Sequence, residues 1–246
     1  MKEIRNDLSN NKLRIPEYYA KATNVFKIML KEDKKWLFTF IFLELFTTVL
    51  ILYNSYLKKI GVFELENNTI SMLSILIYTF INTLFINKII TKIEEKKELT
   101  LCQIILRTLI WIGLVFVLSL LRTDTYNSFE ILNFKLLRYF LLIAVVFIYF
   151  NILYFSFILI SKNMSFIEII KYNFELSKGN MLRMIIVLAP IILLNSSLIR
   201  LEQSGHLPLF FLVIIEIIKV FVSFYVSILG TLIFLNVDYI NRKEKL

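Results

Sequence analysis

Cys102 is the only cysteine in the chain and His206 the only histidine, so no intrachain disulfide can form and no Cys/His zinc cluster can assemble. Glycine and proline are scarce too, at 5 and 3 of 246 residues. That argues against a transmembrane barrel, whose alternating strands of about 10 residues are separated by turn signals. Charged residues make up 19% of the chain, against roughly 25% in an ordinary soluble domain. No G-x-S-x-G, H-E-x-x-H or G-x-x-x-x-G-K-[ST] motif is present, which removes the usual sequence signs of hydrolase, metalloprotease and nucleotide-dependent chemistry.

What the chain does have is apolar surface. Hydrophobic residues are 58% of it and the mean hydropathy is +0.72, more than a water-soluble fold could bury. The apolar runs are about 20 residues long, the length that crosses a ~30 Å hydrocarbon core at 1.5 Å per helical residue. The formal charge of +9 lacks a water-exposed domain on which to form a nucleic-acid face, so it is assigned to loops beside anionic headgroups. The first apolar run, near Trp36, follows a long charged segment and lacks a small-residue cleavage site, so it is expected to stay as an anchor.

Six spans are expected, at about 36–56, 70–90, 104–121, 136–160, 181–199 and 208–236. Pro190 inside the fifth removes a backbone donor and calls for a neighbouring group to satisfy the backbone there. Met1 to Arg14 is expected to be a mobile tail. From Glu17 to Lys31, Tyr18, Ala22, Val25, Phe26 and Met29 form one face opposite Glu17, Lys21, Asn24, Lys27 and Lys31, the pattern of an interfacial amphipathic helix. Residues 165–178 carry a second such pattern, with Glu168, Lys171, Glu175 and Lys178 opposite Phe166, Ile169, Ile170, Asn173 and Phe174. Gly179-Asn180 then supplies a left-handed turn into the fifth span. Thr100-Leu101-Cys102-Gln103 and Ser165-Phe166-Ile167-Glu168 both fit a capping box, 65 residues apart, which hints at an internal duplication.

On this plan twenty lysines and arginines fall on the side holding both termini and six on the other, which places both ends at the cytoplasmic face of an inner membrane. Three charged residues fall away from the ends of their spans: Glu44, Glu216 and Lys219. Such a group costs roughly 2.5–3.5 kcal/mol on insertion scales, so each needs a partner or a wet cavity. Glu216 and Lys219 are three residues apart and can pair, and Ser223, Ser227 and Gly230 continue their face as a small-residue track. Glu44, Thr47, Thr48, Ile51 and Ser55 make a stripe on the first span, and Ser71, Ser74, Tyr78 and Asn82 one on the second. The stripes are read either as interhelical hydrogen-bond glue or as a ligand-binding cavity built on Glu44, Glu216 and Lys219. Arg107, Lys171, Lys178 and Arg183 are candidates for lipid-headgroup contact. His206 lies in the short loop 202–206 and is read as a solvated histidine.

The stretch from Phe166 through Lys171, Glu175 and Lys178-Gly179-Asn180 to Arg183 resembles a bacterial six-span membrane family that includes the membrane domain of glycerophosphoryl diester phosphodiesterases. The closing Asn236-Val237-Asp238-Tyr239-Ile240-Asn241-Arg242-Lys243 is similar to that family's closing pattern, with Tyr and Asp exchanged. The resemblance implies a six-helix bundle with interfacial helices. It implies no catalytic activity, because a phosphodiesterase barrel would be a separate soluble domain.

The expectation is therefore an all-α polytopic bundle of six transmembrane helices with interfacial amphipathic helices. Residues 1–35 form a cytoplasmic tail and interfacial helix, 36–240 the six-span domain and 241–246 a basic cytoplasmic tail. A non-enzymatic, lipid-associated or scaffolding role is expected, without metal or cofactor. Its partners are a bilayer with an anionic inner leaflet and a membrane protein or second copy. The rival is a permease-like subunit working with a separate ATPase, against which the scarcity of Gly and Pro argues.

Overall fold

The computed structural model describes residues 1–59, 64–132, 154–203 and 209–244, with backbone alone at 50–59, 64–72, 75, 117–132, 202–203 and 209. All described regular structure is helical: α1 (Lys2–Asn10), α2 (Ile15–Glu32), α3 (Lys34–Lys59), α4 (Glu64–Glu94), α5 (Leu101–Leu132), α6 (Phe155–Ser161), α7 (Phe166–Ser177), α8 (Met181–Gln203) and α9 (Leu209–Glu244). Among these residues three helices are long and apolar enough to cross a membrane, at Leu76–Glu94, Met181–Leu201 and Phe210–Glu244, and a shorter apolar stretch covers Leu101–Phe116. Most of the expected fourth span, 136–153, and His206 lie outside the described residues.

The chain divides into two units, residues 1–98 with 184–246, and residues 99–183. In the first, α9 is the central element, packed by α1, α2, α3 and α4. Its second half, from Ser227 to Asp238, is buried, whereas Phe210, Phe211, Val213, Ile217, Ile218 and Phe221 of its first half are exposed. Exposed apolar residues on α8, among them Ile186, Ile192, Leu193 and Leu201, extend the greasy surface. A patch of this kind is stable against lipid and not against water.

The mobile tail expected at residues 1–14 is instead α1 and a packed linker. Ile4 and Leu8, one turn apart, are buried together with Leu13, and an isolated apolar pair in a polar segment gives too short a period to read in advance. The apolar face of α2 forms as expected, with Tyr18, Ala22, Val25 and Met29 buried. Its covering is protein, since α2 packs along α9 and Phe26 meets Phe221 edge-on at 6.4 Å. Two expected connections are helical: α4 runs on through Thr91 to Glu94, and α5 runs through the polar stretch 122–132. The expected tail beyond residue 240 continues α9 to Glu244.

Pro190 has no amide to offer the Ile186 carbonyl one turn earlier in α8, and next to that carbonyl Tyr19 of α2 donates its hydroxyl to the Val187 carbonyl at 2.5 Å. Burial and the neighbouring Tyr225 phenol raise the pKa of Tyr19, so the hydroxyl stays a donor. Asn236, fully buried on α9, ties α1 and α2 down. Its amide nitrogen donates to the carbonyls of Leu8 (2.6 Å) and Asn11 (2.9 Å), and its oxygen accepts from the Leu13 amide (3.2 Å) and the Tyr18 hydroxyl (2.6 Å). Close by on the same helix, buried Asp238 pairs with Arg242, which lies 3.8 Å from the buried Glu94 of α4.

In the second unit both capping boxes form. The Ser165 hydroxyl accepts the Glu168 amide at 3.4 Å while the Glu168 carboxylate accepts the Ser165 amide at 2.7 Å. Thr100 and Gln103 reproduce the exchange at 3.4 and 3.1 Å. The bond from the Ser165 backbone, then that from its hydroxyl, hold the Glu168 carboxyl below its ordinary range. Gly179 takes a φ of +79°, the left-handed turn expected between α7 and α8.

Candidate functional site

Charged side chains in apolar helices draw attention because each must be compensated, and three of them meet in one place. Glu44 on α3 and Glu216 and Lys219 on α9 line a single cavity of about 350 Å³ inside the first unit. Tyr78 and Asn82 of α4, Asn195 of α8, and Thr48 and Ser223 complete its polar wall, with Ile192, Val220 and Val226 among the apolar lining. All three membrane-length helices contribute to it. The volume lies at the lower end of ordinary small-molecule sites, roughly 300–1,000 Å³.

The helices are held around this space by side chains of both kinds. On one side of the polar residues, Phe40, Phe85 and Phe224 from α3, α4 and α9 form an aromatic cluster, with centroids 5.3 Å apart for Phe40–Phe85 and 4.6 Å for Phe85–Phe224. Phe40 is one turn from Glu44 and Phe85 one turn from Asn82, so the cluster closes the apolar packing next to the cavity. Hydroxyls then join α4 to α9 along the small-residue track. Tyr78 and Ser223 oxygens are 3.0 Å apart, and Ser227 donates to Asn82 Oδ1 at 2.7 Å. The track thus supplies both the close helix approach and a polar wall.

The expected pair is present, with Lys219 Nζ donating to Glu216 Oε1 at 2.7 Å. Glu44 sits differently. It is 4% exposed, its one hydrogen bond comes from Ser223 at a long 3.5 Å, and no ion pair reaches it among the described residues. Tyr78, Ser223 and Glu44 thus form a line of oxygens from α4 through α9 to α3, with the Glu44 carboxylate as acceptor from Ser223.

Of the stripes read from sequence, Glu44 and Thr48 of α3 and Tyr78 and Asn82 of α4 reach the cavity. Thr47 turns back to bond the Leu43 carbonyl at 2.6 Å, and Ile51, Ser55 and Ser71 fall where side chains lie outside the described residues. The headgroup candidates belong to the second unit. Arg107 Nη1 donates to the carbonyls of Leu159 and Ile160, each at 2.7 Å, and so caps the C-terminal end of α6. Lys171 is exposed on α7, Lys178 is exposed at its C-cap, and Arg183 is half-buried in the first turn of α8. Sequence reasoning missed Asn195, for which the available signal was an amide within the apolar run 184–201. It also missed the buried polar set of Glu94, Asn236 and Asp238, which lies near a helix end and looks there like ordinary solvated polarity.

Compared with family models, with curated proteins and with solved structures, the chain matches none.

Proposed function

We propose that this chain is a six-span protein of the cytoplasmic membrane, both ends inside, whose bundle holds a polar binding cavity for a small solute or lipid headgroup, and that its role is binding rather than catalysis. The observation that carries this reading is the cavity itself. Two carboxylates, an ammonium, a phenol and two amides converge within one unit from helices that are otherwise greasy. Burying such groups without purpose is expensive, and intramembrane ionisable residues mark binding or conduction sites by default. The lipid association is supported by the exposed apolar surface of α8 and the first half of α9. On α7, Phe166, Ile167 and Phe174 stand exposed on one face while Lys171 and Lys178 flank it, which suits an anionic leaflet.

Two measurements test the reading. Reporter fusions at residues 1 and 246 are expected on the same, inner face; opposite faces would remove the even-span plan. For the cavity, a cysteine placed at Asn195 in a Cys102→Ser background is expected to react with a membrane-impermeant maleimide in intact vesicles or after opening them. A thiol facing only hydrocarbon stays un-ionised and unreactive. An inert Asn195→Cys on both sides, with a control cysteine at Lys171 reacting, would mean that the cavity is closed to water.

A further inference from the structure

We infer that the ligand bound in the cavity carries a primary ammonium group, held by Glu44 as its counter-ion. The inference rests on the cavity reading above and adds the chemistry of the occupant. The lining brings two carboxylates and one ammonium. Lys219 lies 2.7 Å from Glu216, so that pair balances itself. Glu44 is left as the uncompensated charge, more than nine-tenths buried, with a single long hydrogen bond from Ser223. An ionised carboxylate in that position is stabilised by a cation at contact distance far more than by another hydroxyl.

The rest of the wall agrees with an N–H donor as guest. Tyr78 lines the cavity, and aromatic side chains attract ammonium groups. Asn82, Asn195 and Thr48 each offer an oxygen to a guest proton. An anionic guest would instead have to displace the Glu216 carboxylate from Lys219 while facing Glu44. Two sources supply the same chemistry: the headgroup of an aminophospholipid, or a small water-borne amine.

The test uses the full chain reconstituted in nanodiscs of phosphatidylglycerol, a lipid without an amine, and in discs containing phosphatidylethanolamine. A hydrophobic carbodiimide is added and the loss of the unmodified Glu44 peptide is followed by mass spectrometry. Ethanolamine hydrochloride is the soluble probe, with ethylene glycol at matched salt as the uncharged control. An ammonium bound at Glu44 is expected to slow the loss about tenfold when the probe stands at about ten times its Kd, with ethylene glycol without effect. Protection by ethanolamine in phosphatidylglycerol discs identifies a small amine, and protection only in phosphatidylethanolamine discs identifies the headgroup. The ethanolamine-induced shift of the unfolding midpoint should also vanish in Glu44→Gln, whose binding is weaker on the order of 100-fold for loss of a buried charge partner. If Glu44 is modified equally fast under every condition, the ammonium inference is overturned while the cavity stands. If Glu44 resists the reagent in both kinds of disc with no amine added, both the inference and the cavity reading fall.

Discussion

Replacing Asn236 by leucine is expected to cost about 3–5 kcal/mol of stability and to release the first fourteen residues to protease. The side chain is fully buried and each of its hydrogen-bonding positions is used, two as donor and two as acceptor. Leucine matches the volume but leaves the Leu8 and Asn11 carbonyls, the Leu13 amide and the Tyr18 hydroxyl without that partner. A buried polar group that loses its partner costs about 1–3 kcal/mol. Some of those groups will find water as the N-terminal segment loosens, so the penalties do not add in full. Aspartate is no rescue: it keeps the two acceptor contacts but turns an oxygen, and a charge, toward two carbonyls. Thermal or chemical unfolding in detergent reads the stability, and the cleavage rate within residues 1–14 reads the release. A loss below about 1 kcal/mol with cleavage unchanged would show that α1 is held by its other contacts, buried Ile4 and Leu8 and the Asp7–Lys21 pair among them.

The second large effect concerns the pair on α9. Lys219→Met is expected to insert into the membrane normally, because it removes a charge that costs roughly 2.5–3.5 kcal/mol to place mid-helix. The folded protein should nevertheless lose about 3 kcal/mol, since the ammonium taken away is the one bonded to Glu216 at 2.7 Å. That figure sits at the low end for a broken buried pair because the Lys219 side chain is 24% exposed and its charge partly screened. Glu216→Gln should cost a comparable amount, and the double variant Glu216→Gln/Lys219→Met less than either single one. A double-mutant cycle on unfolding free energies checks this. If the two losses simply add, the pair is not coupled and the cavity's charge balance has to be redrawn.

Much of this architecture could be read from residue order, because burial in lipid makes errors of polarity conspicuous. Glu216 and Lys219 stand out from a run of Ile, Val and Phe, and their spacing alone puts them on one face, where the structure pairs them. Ser165 with Glu168 gives a helix start, and Gly179 a left-handed turn, from local chemistry that no distant contact has to decide. Polar composition is a poorer guide at helix ends. Residues 122–132 look like a loop, yet the backbone of α5 continues through them, since polar side chains are compatible with helix wherever water is near. α1 was illegible for a related reason: Ile4 and Leu8 acquire meaning only against α9, and nothing in the first fourteen residues announces that surface. The convergence of Glu44 with Glu216 was beyond sequence reading, because their stripes lie 172 positions apart and could have faced different neighbours. Asn195 was passed over because one amide on a helix has no period to detect.

The Asn236 clasp also fixes the order in which the molecule can be completed. Its partners are made first and Asn236 follows 218 to 228 residues later. Closing so long a loop carries an entropic cost that only the finished contacts repay. Residues 1–14 must therefore wait for this clasp until α9 has been made. Translation halted before residue 236 would leave them accessible to chaperones and proteases alike, so arrival of α9 acts as a built-in checkpoint on biogenesis.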